Sequence, residues 1–229
     1  MTYAGIQVAI DGPAGAGKST VARELAKRLG YLYIDTGAMY RALTWLALQK
    51  GIELSDDEAL ARLAEQADIA LLPVPGGLTV LADGQDVTDA IRTPEVSRHV
   101  SRVSAVAGVR VPMVRLQQKM AVRGGVVMDG RDIGTHVLPQ AEVKVFLTAS
   151  VEERARRRFK EMTLKGMGVD FDQLRSDMER RDREDSTRET APLVQAGDAL
   201  YLDTTGLAFE DVVGRLLDMV HSRTGDGDD

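Results

Sequence analysis

The sequence predicts an α/β protein: a parallel sheet core flanked by helices, interrupted by a small α+β insert and completed by a charged helical hairpin. Three observations carry this. Apolar runs of strand length alternate with helical periodicity, beginning with residues 6–10 and then Val21, Leu25 and Leu29. Residues 63–102 break that rhythm with short strand-like runs around an Asp83-Gly84 turn. Residues 154–188 hold eleven Lys and Arg against eight Asp and Glu, inside a chain of net charge −6.

The first strand, residues 6–10, runs into Asp11-Gly12-Pro13-Ala14-Gly15-Ala16-Gly17-Lys18-Ser19-Thr20. Gly12 and Gly17 frame a G-x-x-x-x-G-K-[ST] pattern, where glycine lets the backbone curl with positive φ and approach an oxygen closely. The inward N–H groups and the start of the next helix form an anion site. Residues Gly12, Pro13, Ala14, Gly15, Ala16, Gly17, Lys18, Ser19 and Thr20 are therefore the nucleotide-binding candidates. Lys18 supplies a charge for the β- and γ-phosphates and Ser19 a hydroxyl for Mg²⁺.

Residues 31–34 read as a second strand, followed by Asp35-Thr36-Gly37 and a helix with Met39, Leu43, Leu46 and Ala47 at helical spacing. Thr36 and Arg41 sit near its mouth; an N-cap region with a surface arginine is the plainer reading. Residues 56–67 form a helix whose acidic first turn, Asp56-Asp57-Glu58, suits the dipole. Runs at 69–72, 78–81 and 85–87 are the strands of the insert, which ends at residues 94–102. Residues 109–123 form a helix with Val111, Val114, Gln118 and Val122 on one flank, stopped by Gly124-Gly125.

Residues 126–128 are a buried-type strand leading to Asp129-Gly130-Arg131-Asp132-Ile133-Gly134-Thr135, at the strand end where parallel sheets bind ligands. Asp129 is either a holder of a magnesium-bound water or a strand-end cap. A strand at 143–147 and helices at 151–165 and 171–183 follow; the arginines 154, 156, 157 and 158 mark either a solvated face or a lid closing over phosphates. A last strand spans 199–203, and Phe209, Val212, Val213, Leu216, Leu217 and Val220 make the apolar stripe of a final helix. Residues 224–229 are polar and acidic and are expected to be disordered.

Composition bounds the rest. With 44% hydrophobic and 28% charged residues the chain is globular, and no apolar run reaches the ~20 residues of a membrane span. Met1-Thr2-Tyr3-Ala4 has no secretory character, and zero cysteines exclude disulfides and zinc-thiolate sites. A cytoplasmic monomer is expected. The acidic balance argues against nucleic-acid binding, and the scattered His99, His136 and His221 against a histidine metal site. Alternation, phosphate loop, insert and arginine-bearing lid together suggest a small-molecule P-loop kinase; an N-K-x-D guanine-reading segment, usual in switch GTPases, is absent.

The pieces Asp11–Ser19 of the loop, Asp35-Thr36-Gly37-Ala38-Met39-Tyr40-Arg41, Asp129 to Thr135, residues 181–188 and Ala191-Pro192-Leu193 together resemble the bacterial cytidylate kinase family, over nearly the whole chain. The resemblance implies a single kinase domain, 1–229, with core segments 1–62, 103–153 and 189–229, an acceptor-binding insert 63–102 and a lid 154–188. It implies transfer of the ATP γ-phosphate to CMP or dCMP with Mg²⁺. Ser101, Arg110 and Asp132 match the cytosine-reading set, and Arg41 and Arg131 the acceptor phosphate. Arg181, Asp185 and Arg188 match positions meeting ribose and phosphates. Thr36 stands where relatives often carry serine. Lys18, Arg131 and Arg188 are then the catalytic candidates. The rival readings are a P-loop kinase for AMP, UMP or shikimate, and a non-catalytic ATP-binding module.

Overall fold

The computed structural model describes residues 5–74, 77–164, 166 and 168–225. Residues 226–229 of the expected disordered tail lie outside them, but Thr224 closes the last helix and Gly225 caps it at φ 76°. The chain divides into two compact units, one of Met1–Tyr33 with Arg123–Asp229 and one of Ile34–Val122.

In the first unit, β1 (Gln7–Asp11) leads through the glycine loop into α1 (Lys18–Leu29), and β2 (Leu32–Asp35) follows, the division falling inside it. After the second unit come β6 (Val126–Gly130), β7 (Val143–Thr148), α6 (Val151–Leu164), α7 (Phe171–Thr187), β8 (Leu200–Asp203) and α8 (Phe209–Thr224). The five-stranded sheet is ordered β2-β6-β1-β7-β8, and β1 pairs in parallel with both β6 and β7. Its central strands are buried on both faces, which is why their sequences are continuous apolar runs. Val21, Ala22 and Leu25 of α1 and Val212, Val213, Leu216 and Val220 of α8 pack in one cluster with Val8, Ile10, Val127, Val145 and Leu147. Each of these valine, leucine and isoleucine side chains contributes roughly 1.5–3 kcal/mol by leaving water. That core fixes the register Ile10↔Asp129 and Asp11↔Gly130, and so sets the two strand ends that carry the site side by side.

The second unit holds α2 (Thr36–Gln49), α3 (Asp57–Gln66), β3 (Ile69–Val74), β4 (Gly77–Ala82), β5 (Gln85–Asp86), α4 (Pro94–Ala105) and α5 (Ala107–Ala121). Its antiparallel sheet, β3-β4-β5, turns at Asp83 and Gly84, both with positive φ, as a tight hairpin requires. Where the change of texture marked residues 63–102, the compact unit takes in α2, α3 and α5 as well. The flank of α5 that holds Val111, Val114, Gln118 and Val122 is not its buried one: Val111 and Val122 are exposed, while Val109, Arg110, Met113, Gln117 and Ala121 are buried. The valines mimicked an apolar stripe, whereas the buried row is the 109-113-117-121 series and includes a glutamine.

Candidate active site

The phosphate loop is held open by backbone. Gly12 has φ 148°, and a Cβ there would lie 1.9 Å from the carbonyl oxygen of Leu147 on β7. Gly17, φ 92°, is the N-cap of α1 and brings no side chain to cover the first-turn amides. Lys18, the first residue of α1, is buried and its Nζ donates to the carbonyl of Pro13 at 2.8 Å. Burial, then repulsion from Arg131, lowers its pKa to about 7 against the pull of Asp129 and Asp11. The ammonium is thus poised to gain from an incoming anion.

Asp129, near the end of β6, accepts the Ser19 hydroxyl on Oδ2 at 2.9 Å and the Tyr33 hydroxyl on Oδ1 at 2.9 Å. Arg131 follows one residue beyond Gly130. Its Nε donates to Asp185 Oδ2 at 2.9 Å, joining the loop after β6 to α7. Burial alone would lower the Arg131 pKa, but Asp185 and Asp129 outweigh it and the net shift is upward. Burial likewise pushes Asp185 up, and the guanidinium groups of Arg131 and Arg181 bring it below its ordinary value.

Arg188, just past α7, is aimed by the turn that follows: its Nε donates to the carbonyl of Ala191 at 2.8 Å, and Ala191 holds φ 49°. Its Nη2 lies 3.6 Å from Asp132 Oδ1. Arg181 is packed among these charges with its pKa lowered to about 10, by burial first and Arg131 second. Its Nε is buried with no hydrogen-bond partner, as is Oδ1 of Asp182. An unpaired buried guanidinium nitrogen costs free energy that an anionic ligand would restore. The structure therefore gathers Lys18, Ser19, Asp129, Arg131, Asp132, Arg181, Asp185 and Arg188 at one end of the parallel sheet.

The remaining four predicted residues belong to the second unit. Thr36 is the first residue of α2, whose N-cap is Asp35, with Oδ1 accepting the Ala38 amide at 2.8 Å. Arg41 on α2 donates from Nη1 to Ser97 Oγ at 2.7 Å. Ser101 lies on α4, and its carbonyl accepts the Ser104 hydroxyl at 3.1 Å. Arg110 on α5 is buried, its guanidinium 5.6 Å from the Tyr40 ring centre and donating to the carbonyl of Ser104 at 3.3 Å.

Sequence reasoning missed three supports. Arg154, hidden in a run of four arginines, is buried and donates to the Ala14 carbonyl of the loop at 2.9 Å while pairing with Asp182 at 2.6 Å. Arg157 reaches the other flank, donating to Thr204 Oγ1 at 3.0 Å and to its carbonyl at 2.8 Å. There it helps line a cavity of about 280 Å³ with Gly17, Thr20, Leu207 and Phe209, which leaves Phe209 outside the packed stripe of α8. Asp11, immediately before Gly12, carries no motif of its own, yet it accepts two backbone amides of the loop after β6. Fixed cations around open loop amides can stabilise the charge of a phosphoryl group in transfer.

The family model described as cytidylate kinase matches residues 8–222. The chain belongs to the cytidylate kinase family. The cytidylate kinase of Enterococcus faecalis is 56% identical over 218 residues, 95% of this chain and 96% of that protein. That of Geobacillus kaustophilus is 56% identical over 220 residues, 96% and 98% of the two chains. Among solved structures, one of an uncharacterized protein from Eubacterium ventriosum aligns with TM-score 0.53 at 13% identity, covering 95% of this chain and 99% of that one. That likeness concerns the fold alone. For this cytidylate kinase family member, the match spans both units and every residue of the candidate site. Among the described residues, no helix is long and apolar enough to cross a membrane.

Proposed function

We propose that the chain is a nucleoside monophosphate kinase that transfers the γ-phosphate of ATP to CMP or dCMP, giving CDP or dCDP. Membership of the cytidylate kinase family over residues 8–222, with an intact phosphate loop, carries this reading. An oxygen of the acceptor's phosphate is already anionic, so attack on the γ-phosphorus in line with the leaving ADP oxygen requires no enzyme base. Lys18 and the loop amides hold the donor's β- and γ-phosphates. Arg131 and Arg188 stabilise negative charge on the transferring group, and Arg181, with its unpaired Nε, adds a further donor.

Mg²⁺ fits the oxygens present: the Ser19 hydroxyl and, through water, the Asp129 carboxylate are hard ligands. Among the described residues no group of three or more His, Cys, Asp or Glu is placed to hold a metal by itself, which suits an ion shared with a nucleotide. When bound, the ion neutralises charge on the donor phosphates. In the same reading Ser101, Arg110 and Asp132 recognise cytosine, Arg41 and Arg131 the acceptor phosphate, and Thr36 and Asp185 the sugar. Uracil presents an acceptor where cytosine presents its amino group, so a carboxylate at Asp132 discriminates between them. A cytoplasmic monomer without a nucleic-acid partner completes the proposal, consistent with net charge −6 and no cysteine.

The test is ADP release with Mg-ATP across CMP, dCMP, UMP, AMP and no acceptor. A response confined to CMP and dCMP is expected. A response to UMP or AMP instead would reassign the acceptor, and none at all would leave a binding module.

A further inference from the structure

Asp11 lies at the end of β1, one residue before the phosphate loop, and is buried with 5% of its surface exposed. A carboxylate placed there is costly, and burial raises its pKa to about 6 despite two backbone donors. Those donors are specific. Oδ1 accepts the Ile133 amide and Oδ2 the Gly134 amide, each at 2.8 Å.

The two amides open a single turn of π-helix, Ile133–Val137, whose N-cap residue is Asp132. That residue's carbonyl accepts the amides of His136 at 2.9 Å and Val137 at 3.2 Å, so its backbone is gripped on its C-terminal side by the turn. Wide helical turns of this kind are rare and need outside support. Here the support is Asp11, which satisfies the first two amides of the turn. A Cβ at Gly134 would sit 3.2 Å from Lys144 Cδ and 3.4 Å from Asp11 Oδ2, so an added methyl would crowd the lysine stem and touch the carboxylate. Lys144 is itself fixed, donating to Asp198 and to the Pro139 carbonyl.

We infer that Asp11 is a positioning residue for acceptor selection: its carboxylate clamps the Ile133 and Gly134 amides and thereby sets the place of the Asp132 side chain relative to the phosphate loop. The inference rests on the role given to Asp132 under the proposed function. Asp11 touches neither nucleotide in that reading. It acts through the turn, and its own position is locked because Gly12, the next residue, abuts the Leu147 carbonyl. Asparagine at position 11 keeps the shape but presents one amide group to a backbone N–H, so one of the two bonds is lost and the turn must shift.

The experiment compares wild-type protein with Asp11→Asn and Gly134→Ala, measuring kcat and KM for ATP, CMP and UMP, with thermal melting as the check on folding. Asp11→Asn is expected to raise KM for CMP about tenfold and to erode the CMP-over-UMP ratio of kcat/KM by a similar factor, with KM for ATP within about twofold. Gly134→Ala, whose added methyl meets the Lys144 stem and Asp11 Oδ2, should move the same two quantities by roughly threefold. It carries the test if Asp11→Asn does not fold. An unchanged CMP-over-UMP ratio in the folded variants, or equal losses toward ATP and CMP, would overturn the inference while leaving the kinase reading intact. Wild-type protein without CMP-dependent ADP release would overturn both.

Discussion

Arg154 donates from Nη1 to the carbonyl oxygen of Ala14 at 2.9 Å, so the tip of the phosphate loop is tied to the first turn of α6. The same guanidinium pairs with Asp182 on α7 at 2.6 Å and donates to the Ala149 carbonyl at 2.9 Å. One buried side chain therefore organises the loop and both helices of the charged hairpin. Arg154→Met removes the guanidinium partner of Asp182, whose side chain keeps 20% of its surface exposed, together with the bonds to the Ala14 and Ala149 carbonyls, at a cost of about 3 kcal/mol. Its melting temperature should fall by about 10 °C for a chain of this size. KM for ATP should rise more than KM for CMP; equal effects on both would show that the tie serves stability alone.

Lys18→Met is expected to lower kcat by about a thousandfold, because the preorganised charge it lends to the transferring group has no replacement. Thermal melting should show a folded protein, since removing the ammonium also removes a buried charge. Near-normal turnover in this variant would remove the phosphate loop from the mechanism.

The same lysine gives a pH signature. Its folded pKa, about 7, is below the ordinary 10.5, so the folded, ligand-free chain binds fewer protons than the unfolded chain between those values. Stability gained from this group thus rises as pH climbs from about 7 to 10.5 and is absent below about 7. Asp11 works in the opposite direction: its raised value, about 6 against 3.8, makes stability fall as pH rises through that window. Nucleotide phosphates favour the charged lysine, so ATP binding near pH 8 should take up close to one proton. Calorimetry in buffers of different ionisation enthalpy measures it, and Lys18→Met should abolish the uptake.

Ser19→Ala removes the donor of a 2.9 Å hydrogen bond, and Asp129→Asn removes the negative charge of its acceptor. Both should increase the Mg²⁺ concentration giving half-maximal ADP release by about tenfold, with kcat recovering in part at saturating metal. Tyr33→Phe, which removes only the second hydroxyl on that carboxylate, should shift it by no more than about threefold. A metal titration curve unchanged by all three would place the ion elsewhere.

Asp132→Ala should lower the CMP-over-UMP preference by about a hundredfold while leaving KM for ATP near its original value. A preference unchanged by the substitution would take base recognition away from this carboxylate.

Much of this was legible because some chemistry admits few sequences. A phosphate loop needs glycine where the backbone meets Leu147, and the spacing from Gly12 to Ser19 announced it. The central strands were plain because burial on both faces leaves only apolar residues, as in Val126, Val127 and Met128. What stayed hidden depends on partners distant in sequence. Nothing near residue 133 encodes a π-helical turn; the two amides that begin it are answered by Asp11 from another strand. Arg154 looked like one of several surface arginines, since a charged run on a helix usually faces water, and only the fold reveals that it is the buried one and that it and Arg157 reach the loop. The buried face of α5 was not legible for a related reason: Gln117 is buried and Val111 is exposed, a reversal that periodicity of apolar residues does not register.

Arg131 and Arg188 each stand against a carboxylate of their own chain, Asp185 at 2.9 Å and Asp132 at 3.6 Å. Under the proposed function the protein thus supplies its own counter-anions, and a nucleotide phosphate competes with them for the same guanidinium groups. In that reading binding is an exchange of one anion for another, with few mobile salt ions set free, so nucleotide affinity should depend only weakly on ionic strength. The carboxylates released in that exchange are then available to the neutral, hydrogen-bonding parts of the same ligand, so a bare phosphate would gain much less from the site than a whole nucleotide does.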